Sequence, residues 1–446
     1  MNPGLDTDVV IAGAGIAGSV LAFAMGKAGF RVLLVEPGQH DEGRPGGEVL
    51  QPRGVAALRQ LGLLEAVAAA GARPLGGFHI WDETAGDIRL DYASVGAERG
   101  LTVEHGRLRA ALWSAAASLS TVEVLRGKRV VDFVQRPGGI LAELSGRTSV
   151  RAALLVGADG ARSPLRARAG IASRVRPPAR LSIATVPAQM LPSSDLGHLF
   201  VSSAGIAFAY TLDENRARLL IDPAAVDPGR PSPVQVAGWQ ACAVPWPQPD
   251  AVLQPGASGS HRYTAGPVEV ERTHRGRLVL IGDAAGACHP LTASGMTSAI
   301  LDGIDLAEAW ARMPDAPQRA LARYAAGSRG RQLSRRVLAG FMREICASPA
   351  PACLALRRAI FHDWRRVGGE ASSIALLSMA ADSPRALAKV MLRTVLHGLP
   401  RRGAYPPMLG ASGRWRTAWG AIGIAMRHGV RLLNGTAVFR CLHCRV

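Results

Sequence analysis

The chain has 446 residues, 48% of them hydrophobic and 19% charged. The composition excludes a disordered protein, and the length exceeds what usually folds around a single hydrophobic core. Its net charge of +18 is concentrated in residues 331–446, where 19 Lys and Arg outnumber 4 Asp and Glu, so it does not indicate a nucleic-acid partner. No run of about 18 uninterrupted apolar residues occurs, which argues against a membrane-spanning helix.

Residues 9–36 read as an apolar strand, a glycine-rich turn, a helix and a second strand that ends in Glu36. Such a unit holds the pyrophosphate of a dinucleotide at the helix N-terminus and lets the terminal acid accept hydrogen bonds from a ribose. The residues predicted to contact the cofactor here are Gly13, Gly15, Ile16, Ala17, Gly18 and Glu36. On this pattern alone, the dinucleotide is either NAD or FAD.

The segment GADGARSPLR at 157–166 follows a second apolar run. Asp159 at the end of that run would bring an acid and an open backbone close to the cofactor. An ordinary Asp-Gly turn is the alternative interpretation.

The segment GDAAGACHPLTASGM at 282–296 follows a third apolar run, Leu278–Ile281. Asp283 is placed to bind ribityl hydroxyls, and Gly295 would let the backbone approach a flat ring. We predict a helix from about residue 297 to 313 whose N-terminus faces that ring. Because a helix dipole there favours the negative charge of a reduced flavin, the segment indicates FAD rather than NAD.

These segments are separated in sequence, so we expect other segments to be inserted between parts of one α/β domain. Ile206, Phe208 and Tyr210 alternate with small residues, a pattern typical of an antiparallel sheet. The predicted fold is a Rossmann-like FAD-binding domain with an inserted antiparallel β substrate domain and a C-terminal helical region. The predicted parts are FAD-binding segments 1–75, 101–175 and 276–330, substrate-domain segments 76–100 and 176–275, and the basic helical region 331–446.

The C-terminal region contains two amphipathic stretches, 383–398 and 414–433. The first has helix start and stop signals at Ser383 and Gly398 and an apolar stripe through Leu387, Val390, Met391 and Val395. The second has a stripe through Trp415, Trp419, Ile422, Met426, Val430 and Leu433, flanked by arginines. Basic amphipathic helices with tryptophan suit the headgroup zone of an anionic bilayer. Alternatively, both stripes pack as core and the arginines are simply solvated.

Three motifs resemble one family. RPGGEVLQPRGVAALRQLGL at 44–63, EHGRL at 104–108 and HPLTASGM at 289–296 are similar to segments of the class A flavoprotein monooxygenases, the p-hydroxybenzoate-hydroxylase-like family, and in most detail to the squalene epoxidases. The likeness runs in order through residues 5–313. It departs at Cys288, where the epoxidases have arginine, and at Ala293 and Ser294, where they have glycines. Both departures argue against squalene itself as the substrate.

The resemblance implies roles that the motifs alone do not assign. The implied FAD contacts are Glu36 and Arg44 at the adenosine half, Arg107 at the pyrophosphate or ribityl region, Asp159 in the second nucleotide motif, Asp283 and Met296 at the ribityl and ring portions, and also Val130, Pro290 and Gly295. Tyr92 would lie near the flavin and the substrate, with an ordinary wall residue as the alternative. His289 is a candidate proton donor, with a packing role as the alternative.

The resemblance also implies an FAD-dependent monooxygenase. NAD(P)H, directly or through a partner reductase, would reduce the flavin, and a C4a-hydroperoxyflavin would then pass one atom of O2 to the substrate. The epoxidase likeness and the basic C-terminus favour epoxidation or hydroxylation of a lipophilic isoprenoid or prenylated aromatic compound in secondary metabolism. The alternatives are an aromatic hydroxylase for a soluble polyketide or phenolic substrate, and a membrane-associated flavin oxidoreductase that inserts no oxygen.

Six scattered cysteines do not form a disulfide framework, and Asp6 and Asp8 precede the first apolar run where a secretory signal would have basic residues. We therefore expect a cytoplasmic protein, peripheral on the inner face of the cytoplasmic membrane if 383–398 and 414–433 contact lipid. We expect no metal site.

Overall fold

The structure is a computed structural model that describes residues 6–38, 46–175, 179–202, 205–223, 261–365, 383–398 and 411–443. The strands are β1 (Thr7–Ala12), β2 (Val32–Glu36), β3 (Val49–Leu50), β4 (Arg73–Leu75), β5 (Gly77–Asp82), β6 (Gly86–Asp91), β7 (Gly100–Thr102), β8 (Val122–Arg126), β9 (Val130–Arg136), β10 (Gly139–Leu144), β11 (Thr148–Gly157), β12 (Ser173–Val175), β13 (Ala179–Pro187), β14 (Leu196–Ser202), β15 (Gly205–Thr211), β16 (Arg216–Pro223), β17 (His261–Ala265), β18 (Val268–Val270), β19 (His274–Arg275) and β20 (Leu278–Leu280). The α-helices are α1 (Ile16–Lys27), α2 (Pro52–Leu61), α3 (Leu64–Ala69), α4 (His105–Ala117), α5 (Pro164–Arg168), α6 (Gly295–Arg312), α7 (Pro317–Ala347), α8 (Pro351–Trp364), α9 (Pro384–Gly398) and α10 (Ala411–His443).

The first sheet has the order β19-β20-β11-β1-β2-β8 in the described part of the chain, with β10 and β9 branching from β11. Its central strands β20, β11, β1, β2 and β8 are parallel. β1 and β20 are apolar runs because both faces of the sheet are covered, one by α1 and α6 and the other by β9, β10 and α5. α1 and α6 pack closely on each other, since a side chain on Gly303 of α6 would lie 3.0 Å from the backbone nitrogen of Leu21 in α1.

The second sheet has the order β17-β13-β16-β15-β14-β5-β6 across the described residues. Every neighbouring pair in it is antiparallel except β14 and β5. As the alternation predicts, Ile206, Phe208 and Tyr210 face one apolar cluster, and Ala207 and Ala209 face another. The predicted fold class is confirmed. The boundaries of the domain segments stay a prediction.

The C-terminal helices α9 and α10 pack on α7 and α8. Leu387 and Met391 on the predicted stripe of α9 are buried, which favours the core interpretation for that helix. On α10 the predicted stripe points outward, with Trp415 68% and Trp419 64% exposed. The side chains of Val395 and Leu433 lie outside the described residues. None of the helices described here has the length and apolarity needed to cross a bilayer.

Candidate active site

The turn between β1 and α1 uses its three glycines in different ways. Gly13 has a φ of +107°, and a side chain on it would lie 2.5 Å from the carbonyl oxygen of Ala158. A side chain on Gly18 would lie 2.0 Å from the carbonyl oxygen of Gly13. At Gly15 none of the described residues lies within 4 Å of the position of a side chain. Gly13 and Gly18 therefore allow close packing, and Gly15 faces open space at the N-terminus of α1, where a pyrophosphate would approach.

Glu36 at the end of β2 lies beside this turn. Its Oε2 accepts a hydrogen bond of 2.7 Å from the backbone nitrogen of Ala14, and its Oε1 one of 3.0 Å from that of Gly38. Nη2 of Arg109 lies 3.2 Å from Glu36 Oε1, and Nε of the same residue donates to the carbonyl of Ala14 at 3.1 Å. The structure therefore adds Arg109 to the nucleotide end of the site.

Arg107, the residue that the resemblance selects, lies on a more exposed part of α4. Its Nε is 3.6 Å from Glu104 Oε1, and its side chain is largely exposed. Positions two apart on a helix point to different sides. The EHGRL motif does not show which side of α4 faces the glycine turn. It therefore could not indicate whether Arg107 or Arg109 lies at the nucleotide end of the site.

Asp159 follows β11 and packs against the glycine turn through Ala158. Its Oδ2 accepts a hydrogen bond from the backbone nitrogen of Leu165 at 3.1 Å, and its buried Oδ1 has no partner among the described residues. Burial raises the pKa of this carboxyl, although hydrogen bonds and Arg166 oppose the change. A buried carboxylate oxygen normally accepts a hydrogen bond, and a hydroxyl group of a bound cofactor would supply the donor here.

Asp283 lies where the 282–296 segment meets the N-terminus of α1. A side chain on Gly282, whose φ is +59°, would lie 2.9 Å from Cβ of Ala17. The backbone nitrogen of Gly282 donates to Asp302 Oδ2 at 2.9 Å. Asp283 is accessible to solvent, but desolvation by the surrounding protein raises the pKa of its carboxyl, opposed by Arg335 and His105. The structure therefore brings Asp283 beside the N-terminus of α1.

The 288–295 loop (residues 288 to 295) leads into α6. Pro290 begins a 3₁₀ turn, Ala293 has a φ of +47°, and the helix starts at Gly295, two residues before the predicted start. Met296 is buried in one apolar cluster with Ile16 of α1. The glycine turn and the loop thus lead into the N-termini of two helices that pack against each other, α1 and α6.

Tyr92 acts on this loop through Gln51, which sequence reasoning did not single out. The buried Tyr92 hydroxyl donates to Gln51 Oε1 at 2.5 Å. The Gln51 side chain donates to the carbonyl of Thr292 at 3.3 Å, and its backbone nitrogen donates to Oγ1 of Thr297 at 3.0 Å. Burial keeps the pKa of Tyr92 far above its usual value, so the hydroxyl stays protonated. Gln51 lies within the 44–63 motif, and that motif was the one sequence signal that pointed to this residue.

His289 joins the loop to the second sheet. Its Nδ1 accepts a hydrogen bond from the backbone nitrogen of Leu291 at 3.3 Å, and its Nε2 lies 3.1 Å from Asp222 Oδ2. A neutral imidazole that accepts at Nδ1 carries its proton on Nε2. Burial alone would raise the pKa of Asp222, but His289 and Arg343 beside it hold that pKa below its usual value. This contact supports a packing role, and proton donation by His289 stays a prediction.

An apolar cavity opens between the loop and the second sheet. Its volume is about 40 Å³, and part of it is open to solvent. Its lining residues are Phe78, Ile80, Leu199, Phe208, Leu291, Thr292, Met342 and Trp364. Since Leu291 and Thr292 belong to the 288–295 loop, a molecule in this cavity would touch the loop directly.

Comparison with known proteins agrees with this geometry. A family model described as an FAD binding domain matches residues 6–338. The chain belongs to the class A flavin monooxygenase family. The monooxygenase is 27% identical over 426 residues to squalene epoxidase 3 of Arabidopsis thaliana, covering 90% of this chain and 80% of the relative.

Two further relatives agree. Squalene epoxidase erg1 of Aspergillus fumigatus is 30% identical over 330 residues, covering 67% of this chain and 65% of that protein. The crystal structure of p-nitrophenol 4-monooxygenase PnpA from Pseudomonas putida superposes with a TM-score of 0.71 at 22% identity, covering 84% of this chain and 98% of that one. This last likeness shows the fold alone.

The residues of this monooxygenase fit FAD. The open position at Gly15 and the unpaired Oδ1 of Asp159 provide space and an acceptor for the cofactor. Val130 begins β9 in one apolar cluster with Val35, next to Glu36. Arg44 lies outside the described residues. The assignment of single residues to parts of FAD stays a prediction.

Proposed function

We propose that this flavin monooxygenase inserts one atom of O2 into a carbon–carbon double bond, or hydroxylates beside one, in a lipophilic isoprenoid or in the prenyl chain of an aromatic compound of secondary metabolism. We propose NAD(P)H as the electron source, directly or through a partner reductase. The observation that supports the substrate class is the apolar cavity, whose lining offers a ligand almost only hydrocarbon surface. Such a wall favours a hydrocarbon chain because polar groups lose their hydrogen bonds to water there.

The chain's own residues hold the substrate and keep water out. Bound FAD supplies the activated oxygen, which is the chemistry that amino-acid side chains lack. Phe78, Ile80 and Phe208 present a rigid wall from the second sheet, and Leu291 and Thr292 bring the loop to the same space. The Tyr92–Gln51 pair holds the loop from behind through the carbonyl of Thr292.

The names of the relatives support an alkene substrate. Both curated relatives described above are named squalene epoxidases. The departures at Cys288, Ala293 and Ser294 lie in the 288–295 loop, which also contains the cavity-lining residues Leu291 and Thr292. We therefore propose a different isoprenoid from squalene.

Leu199→Trp is expected to lower kcat/KM on the preferred polyprenyl substrate by at least about tenfold while FAD loading stays unchanged. The indole would occupy the cavity from β14, away from the glycine turn. Leu199→Met keeps the side-chain volume and is the matched control, with activity close to that of the unmodified protein. The measurement is product formation under ¹⁸O₂ from a panel of polyprenyl and prenylated aromatic compounds.

The position of the label decides between the candidate functions. Label in an epoxide or alcohol on the prenyl chain agrees with the proposal. Label found only on the aromatic ring would instead identify an aromatic hydroxylase. NAD(P)H consumption without any labelled product across the panel would indicate an oxidoreductase that inserts no oxygen.

We also propose that α10 contacts the surface of an anionic membrane, at the inner face of the cytoplasmic membrane. Trp415, Trp419, Met426 and Val430 are exposed along one side of this helix. Arg416 and Arg431 are exposed next to them. Tryptophan and arginine in this arrangement match the apolar and anionic layers of a lipid headgroup zone.

Replacing both tryptophans, Trp415→Ser with Trp419→Ser, is expected to weaken binding to phosphatidylglycerol-containing vesicles by about tenfold or more, because their rings supply most of the exposed apolar area. Val175→Ser is the matched control, since Val175 is equally exposed but lies on β12. Co-sedimentation with vesicles measures the effect. Unchanged binding by the double variant, or equal binding to purely zwitterionic vesicles, would refute the lipid contact.

A further inference from the structure

Two arginines on α7 are buried one helical turn apart in contrasting surroundings. Arg331 is 2% exposed and Arg335 is 3% exposed. Nη2 of Arg331 lies 2.8 Å from Asp302 Oδ1 and 2.7 Å from Asp305 Oδ2, so two carboxylates neutralise its charge. A buried charge normally needs such a partner, because removal from water costs several kcal/mol.

Arg335 has only uncharged hydrogen-bond partners among the described residues. Its Nε donates to Ser294 Oγ at 3.2 Å, its Nη1 to Gln332 Oε1 at 3.3 Å and its Nη2 to Cys288 Sγ at 3.5 Å. Asp283 and Asp302 are close enough to interact with it electrostatically, but neither forms an ion pair with it. The guanidinium of Arg335 therefore holds both ends of the 288–295 loop, and its positive charge has no ion-pair partner in the described part of the chain.

The same place contains a second positive feature. α6 begins at Gly295, and a side chain on Gly295 would lie 3.8 Å from Nη2 of Arg335. The first turn of α6 contains no acidic residue, and its N-cap side chain makes no capping hydrogen bond. A helix N-terminus carries a partial positive charge. A buried guanidinium and an uncapped helix N-terminus thus meet where no carboxylate of the described residues pairs with either, which indicates an anionic ligand group.

We propose that Arg335 is a positioning residue that fixes the 288–295 loop and whose charge stabilises the negative charge of reduced FAD. Its effect is to raise the reduction potential of the bound flavin. The inference rests on the FAD binding of the family and is independent of the substrate, so its test needs no turnover.

The experiment measures the midpoint potential of the FAD-loaded protein by equilibration with a reference dye at one pH. Arg335→Gln is expected to lower the equilibrium constant for two-electron reduction about tenfold or more, which corresponds to about 30 mV. Arg335→Lys keeps the charge and should retain most of the potential. Arg323→Gln removes an exposed charge from the same helix and is the matched control, with no change expected.

Ser294→Asp provides an independent variant if Arg335→Gln does not fold. It keeps the guanidinium in place and gives it a carboxylate partner, so the potential should again fall. An unchanged potential in Arg335→Gln or in Ser294→Asp would overturn the proposal. Equal losses in the Lys and Gln variants would overturn the role of the charge and leave only a structural role.

Discussion

Gly15→Val is expected to lower the affinity for FAD by about 100-fold or more, which is about 2.7 kcal/mol, while the apoprotein keeps its fold. Gly15 has a φ of −73°, which any residue adopts, and no atom in the described part of the chain lies within 4 Å of its side-chain position. The Cβ of the valine would therefore meet no atom of the described residues, and the side chain would fill the space that the pyrophosphate needs. Calorimetric titration with FAD and the melting temperature of the apoprotein measure the two effects separately.

Two control variants make this result specific. Gly327→Val introduces the same side chain at an exposed position of α7 with equally open surroundings, and FAD affinity should stay unchanged. Gly18→Val pushes a side chain into the carbonyl of Gly13, so both melting temperature and affinity should fall. If Gly15→Val retained FAD, the glycine turn would not be the pyrophosphate site.

Arg218→Met is expected to destabilise the protein by about 3–5 kcal/mol, because it leaves the Glu48 carboxylate buried without its partner. Arg218 on β16 donates to both carboxylate oxygens of Glu48, at 2.7 and 2.8 Å, and both side chains are buried. Tyr210 also donates to Glu48 at 3.1 Å. These contacts join the segment before β3 to the second sheet, so the loss should appear in the urea midpoint of unfolding.

The double variant Glu48→Gln with Arg218→Met tests the origin of that loss. Removing both charges should restore much of the stability, since no unpaired charge stays buried. Arg216→Met breaks a half-exposed pair with Glu104 and should cost less than about 1 kcal/mol. A double variant no more stable than the single one would show that packing, not charge, holds this contact.

The parts of the fold that sequence patterns predicted are those with local causes. The glycine turn and the apolar parallel strands follow from steric and burial requirements within about thirty residues. The position of Asp283 beside the N-terminus of α1 was expected, because the 9–36 and 282–296 segments were both predicted to bind one FAD. The start of α6 was predicted to within two residues.

The remaining features depend on side chains far apart in the chain. Glu48 and Arg218 are 170 positions apart, and neither position shows in its sequence which partner it meets. Likewise, Arg331 and Arg335 look alike in sequence, although only the first meets carboxylates. The stripe on α10 was visible as a periodic pattern, but a period does not say whether a face meets protein or solvent.

The lining of the cavity also determines how sharply this protein can choose among substrates. An apolar wall distinguishes substrates by the length and branching of their hydrocarbon chains. Each additional methylene changes the free-energy difference between two substrates by only about 1–3 kcal/mol. The wall has almost no hydrogen-bonding group with which to reject a compound for lacking a particular hydroxyl or amide. We therefore expect graded selectivity by chain length across homologous terpenoids, so that one catalyst would serve several related natural products.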